Sequence, residues 1–312
     1  MSSFVLRPAS RQGIVPLIVF YSESGCGKTY SSLLVARGLA GPSGKIAMID
    51  TENGRGELYS DLPEFGGYGV IRFDPPFSPS RYIDAMDAVE KSGAAVGIID
   101  SGSHEWEGVE GVLDLAAANE QKSGKAGLHN WKNPKFEHAK FVSALLRSKI
   151  PWIVCLRAKY KSHQVKENGK TVIIKDAYTS PIQDEGFIFE ATCHGEIMPD
   201  HSLRLTKWSH PSLKPCFPVN APVTIQTGEA IAKWCITPGV SEKSESQPVD
   251  AKALKAKLWT MTKKIHGGDV HKLEKWLREG FIIPNENRLE DLTGDLLVGV
   301  IEKANVRLSE VA

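Results

Sequence analysis

Ser22-Glu23-Ser24-Gly25-Cys26-Gly27-Lys28-Thr29 is the stretch that decides the fold. It follows a short apolar, β-branched run, Leu17–Tyr21, and leads into Tyr30–Ala40, a run of helix formers that stops at Gly41 and Pro42. Glycines between a strand and a helix let backbone N–H groups converge on phosphate oxygens, and the positive end of the helix adds to the attraction. In this setting Lys28 is expected to reach the β and γ oxygens of a nucleoside triphosphate, and the Thr29 hydroxyl to bind Mg²⁺. Ser24, Gly25, Cys26, Gly27 and Tyr30 complete the expected nucleotide-contacting set. One position departs from the motif: Ser22 stands where glycine is usual. Cys26 occupies a variable position and reads as loop filler.

Outward from this loop, strand and helix signals alternate. Lys45–Asp50, Tyr68–Phe73, Ala94–Ile99 and Pro151–Leu156 are apolar runs of strand length. Ser80–Ser92 places Ile83, Met86 and Val89 at helical spacing, and Pro134–Lys149 reads as a helix with Phe136, Ala139, Val142 and Leu146 inward. Continuous apolar strands alternating with helices predict an α/β fold, a mainly parallel sheet covered on both faces. Lys161–Tyr178 reads as an added β-hairpin turning at Glu167-Asn168-Gly169-Lys170. Phe187–Ile197 and Leu203–Trp208 read as further, antiparallel strands. Pro238–Asp250, rich in Ser, Glu and Pro, reads as a linker between a main domain over 1–237 and a small helical unit over 251–312. That unit is expected to hold three helices, lined by Leu254, Leu258, Met261 and Ile265, by Val270, Leu273, Trp276 and Leu277, and by Leu296, Leu297, Val300 and Ile301.

Composition narrows the class. Apolar content of 41% and charged content of 24% are ordinary for a globular chain. No apolar run approaches the roughly 20 residues of a membrane span. Met1–Gln12 lacks an apolar stretch of signal-peptide type, so a cytoplasmic location is expected. Cys26, Cys155, Cys193, Cys216 and Cys235 show no C-x-x-C spacing and read as reduced, mostly buried thiols. His104, His163 and His194 show no metal-ligand spacing and read as structural or surface residues. Charge is uneven despite a net of +1: residues 122–175 hold 13 Lys/Arg against 2 Asp/Glu, whereas residues 1–121 hold 9 against 16. The middle block is the candidate polyanion-binding region.

A triphosphate site needs a second acidic group for Mg²⁺ at the end of a neighbouring strand. Asp100, closing Ala94–Ile99, fits that role. Hydrolysis also needs a group that orients and deprotonates water. Glu52, in Asp50-Thr51-Glu52-Asn53, and Glu105, five residues past Asp100, are the two candidates.

The order of these features, a phosphate loop, then a strand ending in Asp50-Thr51-Glu52, then a strand ending in Asp100-Ser101, resembles the RecA-type ATPase core. The phrases YSESGCGKTYSSLLVARGL, IDTENGRGELYSDL, IIDSGSHEWEG and IVCLRAKYK resemble, more closely, a phage and prophage group of RecA-like ATPases associated with single-strand annealing recombination. The resemblance covers roughly residues 14–235, and the Asp50–Gly56 stretch is its most specific part. It favours Glu52 over Glu105 as catalytic base and implies that Tyr59 stacks on adenine, which makes ATP the expected nucleotide. It points to Arg157 as γ-phosphate sensor, where the family typically has Gln. It implies that Lys159, Lys161, Lys166, Lys170 and Lys175 of the hairpin bind single-stranded DNA, with Tyr160 and Tyr178 as candidate stacking partners. It also implies a homo-oligomer, ring or filament, with a cation such as Lys159 or Lys161 supplied to the neighbour's site. A single-strand annealing or single-stranded-DNA-binding protein is the implied partner, in the host cytoplasm for a phage-encoded chain. The C-terminal helices resemble small modules appended to phage recombination proteins. Two rival readings stand beside this one: a P-loop enzyme on a small-molecule substrate, such as a kinase, and a nucleotide-gated interaction protein with slow hydrolysis. The absence of an N-K-x-D motif argues against a GTPase.

Overall fold

The computed structural model describes residues 13–167 and 170–236, and in the C-terminal part 255–256, 258–260, 263, 267, 269–279, 300–301 and 304. The chain divides into two compact units, Met1–Pro238 and Gly239–Ala312.

The first unit is built on β1 (Leu17–Ser22), β2 (Ile46–Asp50), β3 (Gly69–Arg72), β4 (Val96–Asp100), β5 (Trp152–Glu167), β6 (Lys170–Pro181), β7 (Cys193–Ile197) and β8 (Leu203–Trp208). The strands run in the order β3-β2-β4-β5-β1-β7-β8, with β6 paired to β5. All neighbours are parallel except β8 on β7 and β6 on β5. The fold is α/β, a mostly parallel sheet with helices on both faces.

Alternation along β1 explains the burial of both faces. Leu17, Val19 and Tyr21 pack on one side with Tyr82 and Met86 of α2 (Pro79–Lys91) and with Phe141 and Leu145 of α5 (Lys132–Arg147). Ile18 and Phe20 pack on the other with Leu33 and Val35 of α1 (Lys28–Ala40) and with Ile231 and Trp234 of α7 (Ile225–Ile236). Between these lie α3 (Ser103–Glu107), α4 (Val112–Ser123) and the short α6 (Phe187–Glu190). The helices α4 and α7 had no counterpart among the expected elements.

Several expectations are corrected. In α5 the inward positions are Pro134, His138, Phe141 and Leu145, while Phe136 is 59% and Leu146 49% exposed. The buried face puts Phe141 and Leu145 in the core and His138 3.0 Å from the buried Glu105. Phe187–Ile197 is not one strand: α6 comes first, and β7 then runs parallel to β1, not antiparallel. Lys161–Tyr178 lies within the β5–β6 ribbon, which pairs from Ala158↔Pro181 to Glu167↔Lys170; Asn168 and Gly169 lie outside the described residues.

The crossing of α1 and α7 is close because two glycines face each other. A Cβ at Gly38 would collide with the Ile225 carbonyl oxygen, and one at Gly228 with that of Val35. Gly228→Ala is therefore expected to cost about 1–3 kcal/mol, as overpacking does, and to lower the thermal midpoint of the purified chain. An unchanged midpoint would show that the helices part freely. Nearby, the buried Arg37 is satisfied without a carboxylate: its guanidinium donates to the carbonyls of Phe65, Gly41, Gly44 and Gly67 at 2.7–3.0 Å.

His163, His104 and His194 each have a partner within the protein. His163 pairs with Asp176 at 3.0 Å on the ribbon. His104 stacks on Phe77, and Thr51 Oγ1 lies 2.6 Å from its Nδ1. His194 is buried in β7, 2.7 Å from Thr206 Oγ1. Burial, and then the Lys207 ammonium, push His194 down to about 4. The unfolded chain thus binds more protons than the folded one between about pH 4 and the ordinary histidine value near 6.5. Stability is expected to fall as pH drops through that window, by up to roughly 3 kcal/mol from this residue. Urea titrations across the window check this, with His194→Gln flattening the profile.

In the second unit the described helix Val270–Glu279 buries Leu273 and Leu277 against Leu258, Val300, Ile301 and Ala304. Val270, expected inward, is 51% exposed. The Pro238–Asp250 linker lies outside the described residues, as do most of the expected first and third helices. Among the described residues no helix is long and apolar enough to cross a membrane.

Candidate functional site

The register brings the ends of four parallel strands together. Ser22 lies beside Arg157, and Asp50 beside Asp100. A cleft of about 1000 Å³ opens at this edge, lined by the Ser22–Thr29 loop, Tyr30, Glu52, Tyr59, Asp100 and Arg157 among others.

The loop itself explains its departure from the motif. Ser22 is the last, buried residue of β1, so glycine's freedom is not needed there. It is needed at Gly25 and Gly27, with φ of +88° and +91°. A Cβ at Gly27 would also stand 3.1 Å from His201 Nδ1, so that ring would have to give slightly. Lys28 Nζ donates to Ser22 O and Oγ, both at 3.2 Å, and to Glu23 O at 3.0 Å. Cys26 contributes only backbone here; its side chain belongs to the core, and its carbonyl lies 2.9 Å from His201 Nδ1.

Thr29 Oγ1 donates to Asp100 Oδ2 at 2.5 Å. Burial lifts the Asp100 carboxyl to about 6, against the opposing pull of the Thr29 hydroxyl and the Lys28 ammonium. The pair supplies hard oxygen donors only, which suits Mg²⁺: that ion binds one or two protein oxygens and takes the rest from water and phosphate. Among the described residues no three His, Cys, Asp or Glu side chains form a metal cluster.

The Asp50–Gly56 stretch folds as its residues dictate. Asp50 closes the turn by accepting from the backbone N–H of Glu52 at 2.7 Å and of Gly56 at 3.0 Å. Asn53 and Gly54 both take positive φ. Glu52 is thereby presented to the cleft, where Arg157 holds it in a two-pronged ion pair, Nε and Nη2 each 2.9 Å from a carboxylate oxygen. Burial pushes the Glu52 carboxyl up, but the Arg157 hydrogen bond and charge outweigh it and keep the group below its ordinary value. Glu105 lies elsewhere. Its fully buried carboxylate is 3.0 Å from His138 Nδ1 and accepts from Gln183 Nε2 at 3.1 Å, and it does not line the cleft.

Tyr30 and Tyr59 form one aromatic wall, edge to face at 5.7 Å and backed by Phe65. His201, Pro222 and Val223 also line the cleft. No local signal marked these three, because turns far along the chain carry them to the loop.

β5 continues from Arg157 straight into the ribbon. Lys159 and Lys166 are exposed, Lys161 pairs with Glu185 at 2.9 Å, and Lys175 Nζ lies 3.7 Å from the Tyr160 ring centre. Tyr178 is covered by Arg204 at 3.8 Å. The side chain of Lys170 lies outside the described residues.

No protein-family model and no curated protein matches the chain. Among solved structures, the chain is similar to one titled "Crystal structure of the RadB recombinase", at 15% identity over 58% of this chain and 74% of that one, with a TM-score of 0.32. Likeness at this level says nothing of activity.

Proposed function

We propose that the protein binds and hydrolyses ATP, and that single-stranded DNA held along the β5–β6 ribbon governs the hydrolysis. The observation that carries this reading is that Lys28, Thr29, Glu52, Asp100 and Arg157 meet in one cleft, with Arg157 on the same strand that becomes the basic ribbon. Lys28 contacts the β and γ oxygens, and Tyr59 with Tyr30 receives the base. Thr29 and Asp100 hold Mg²⁺, which supplies charge neutralisation at the phosphates. Glu52 takes a proton from the attacking water. For that, Arg157 must leave the carboxylate, and a γ-phosphate at the cleft is the anion that draws it away. The protein then acts as an oligomer in phage-type recombination or strand annealing, beside an annealing or single-stranded-DNA-binding protein.

The test is ATP turnover with and without single-stranded DNA, with sizing of the complex. DNA that changes neither turnover nor assembly sinks the reading. Within it, Lys166→Ala with Lys170→Ala is expected to weaken DNA binding while turnover without DNA survives. Each phosphate that no longer meets a lysine should lower the log–log salt slope by about 0.7. Unchanged DNA affinity would remove the ribbon from the proposal.

A further inference from the structure

A second groove lies away from the nucleotide cleft. It holds about 430 Å³ and is lined by Trp106, Leu128, Trp131, Lys132, Lys135 and Asp184. Trp106 comes from α3, Trp131 ends the turn Leu128–Trp131, and the two lysines open α5. The indoles stand 6.5 Å apart and are tilted by 36°. Trp106 is fixed from behind, edge to face with His138, which Glu105 holds in place. Rings held in this way lose little freedom when a flat ligand covers them.

We propose that this groove is a base-stacking subsite for single-stranded nucleic acid, with Trp106 and Trp131 taking bases and Lys132 and Lys135 the flanking phosphates. Two features favour a nucleic acid over a protein segment. Trp131, Lys132 and Lys135 lie in the 122–175 block, with its 13 basic residues against 2 acidic. The groove also shares Trp106 and Asp184 with a neighbouring one of about 350 Å³, which is lined by Lys159 and Lys161 at the root of the ribbon and also by Glu107 and by Glu185, the partner of Lys161 at 2.9 Å. The two adjoining grooves thus place the root of the ribbon next to the indoles. Asp184 is the carboxylate among the groove's lining residues, and its Oδ1 is engaged by the Gly186 N–H at 2.9 Å. Interleaved aromatic rings and cations bind single strands with little regard to sequence, because every base has a π-face.

The inference rests on the DNA-binding reading above, and the experiment separates the two. Binding of fluorescein-labelled oligothymidylate to the full chain with nucleotide is measured across a salt series. Trp131→Ala is expected to weaken binding roughly 5- to 150-fold with an unchanged salt slope. Trp131→Phe should recover most of that loss. Lys132→Glu with Lys135→Glu, both exposed positions, should flatten the slope by about 1.4. These variants keep the test open should Trp131→Ala fail to fold, as monitored by circular dichroism. Wild-type affinity and slope in all the groove variants, with binding lost in the Lys166/Lys170 pair, overturns the subsite and leaves the groove a protein-docking face. A wild-type chain that binds no oligothymidylate overturns both the subsite and the DNA reading.

Discussion

Glu52→Gln is expected to keep ATP bound and to lose turnover by roughly 10²–10⁴-fold, the range for removing a general base. The amide is nearly isosteric, and its Oε1 can still accept one of the two Arg157 hydrogen bonds, while the NH2 group, a donor, loses the other. What is lost is the anionic proton acceptor. Of the two carboxylates, Glu52 is the one that lines the cleft. It faces the cleft with a side chain 15% exposed, whereas that of Glu105 is fully buried against His138. Its ion pair with Arg157 adds a second signature. A carboxylate held below its ordinary pKa by a paired arginine is a weak base, and release by Arg157 raises its basicity. Rapid-quench turnover alongside equilibrium nucleotide binding checks the variant. Full activity would remove Glu52 as the base, and Glu105 does not line the cleft.

Lys28→Ala is expected to lose roughly 10²–10³-fold in turnover, as when one preorganised donor to a charged transition state is removed, with ATP binding weakened as well. The ammonium is already gathered over the loop by Ser22 and Glu23, so it needs little rearrangement to meet phosphate. Lys28→Arg should not rescue, because a planar fork cannot replace a compact ammonium inside a tight backbone loop. Calorimetric titration with a non-hydrolysable ATP analogue gives the binding part. Wild-type affinity in Lys28→Ala would remove the loop from the phosphate site, and with it the proposed function.

Local pattern carried the placement of the Ser22–Thr29 loop between β1 and α1, because its requirements are local: a strand end, two glycines with positive φ and a helix start, all within eight residues. It carried Asp100 for the same reason, since a polar residue ending a buried strand must lie at the sheet edge. It did not carry the facing of α5. There the inward face carries Phe141 and Leu145 together with a buried histidine, whose partner, Glu105, is 33 residues away. It missed the break between α6 and β7, because an apolar run reads alike as strand or helical turn. It missed Arg37, whose burial depends on carbonyls gathered from loops on two sides of β2.

The sequence alone determined that this chain is α/β with a glycine-containing loop between its first strand and helix, that an acidic residue ends a buried strand, and that its basic charge is concentrated in one block. Each follows from periodicity, glycine placement or charge count, which need no knowledge of distant neighbours. Only the tertiary structure decided that Glu52 is held by Arg157 across 105 residues, that Glu105 is sealed away, and that Trp106 and Trp131 share a groove. Those are pairings between segments far apart in the chain. They are set by the order β3-β2-β4-β5-β1 and by which helix face finds a partner for a buried charge.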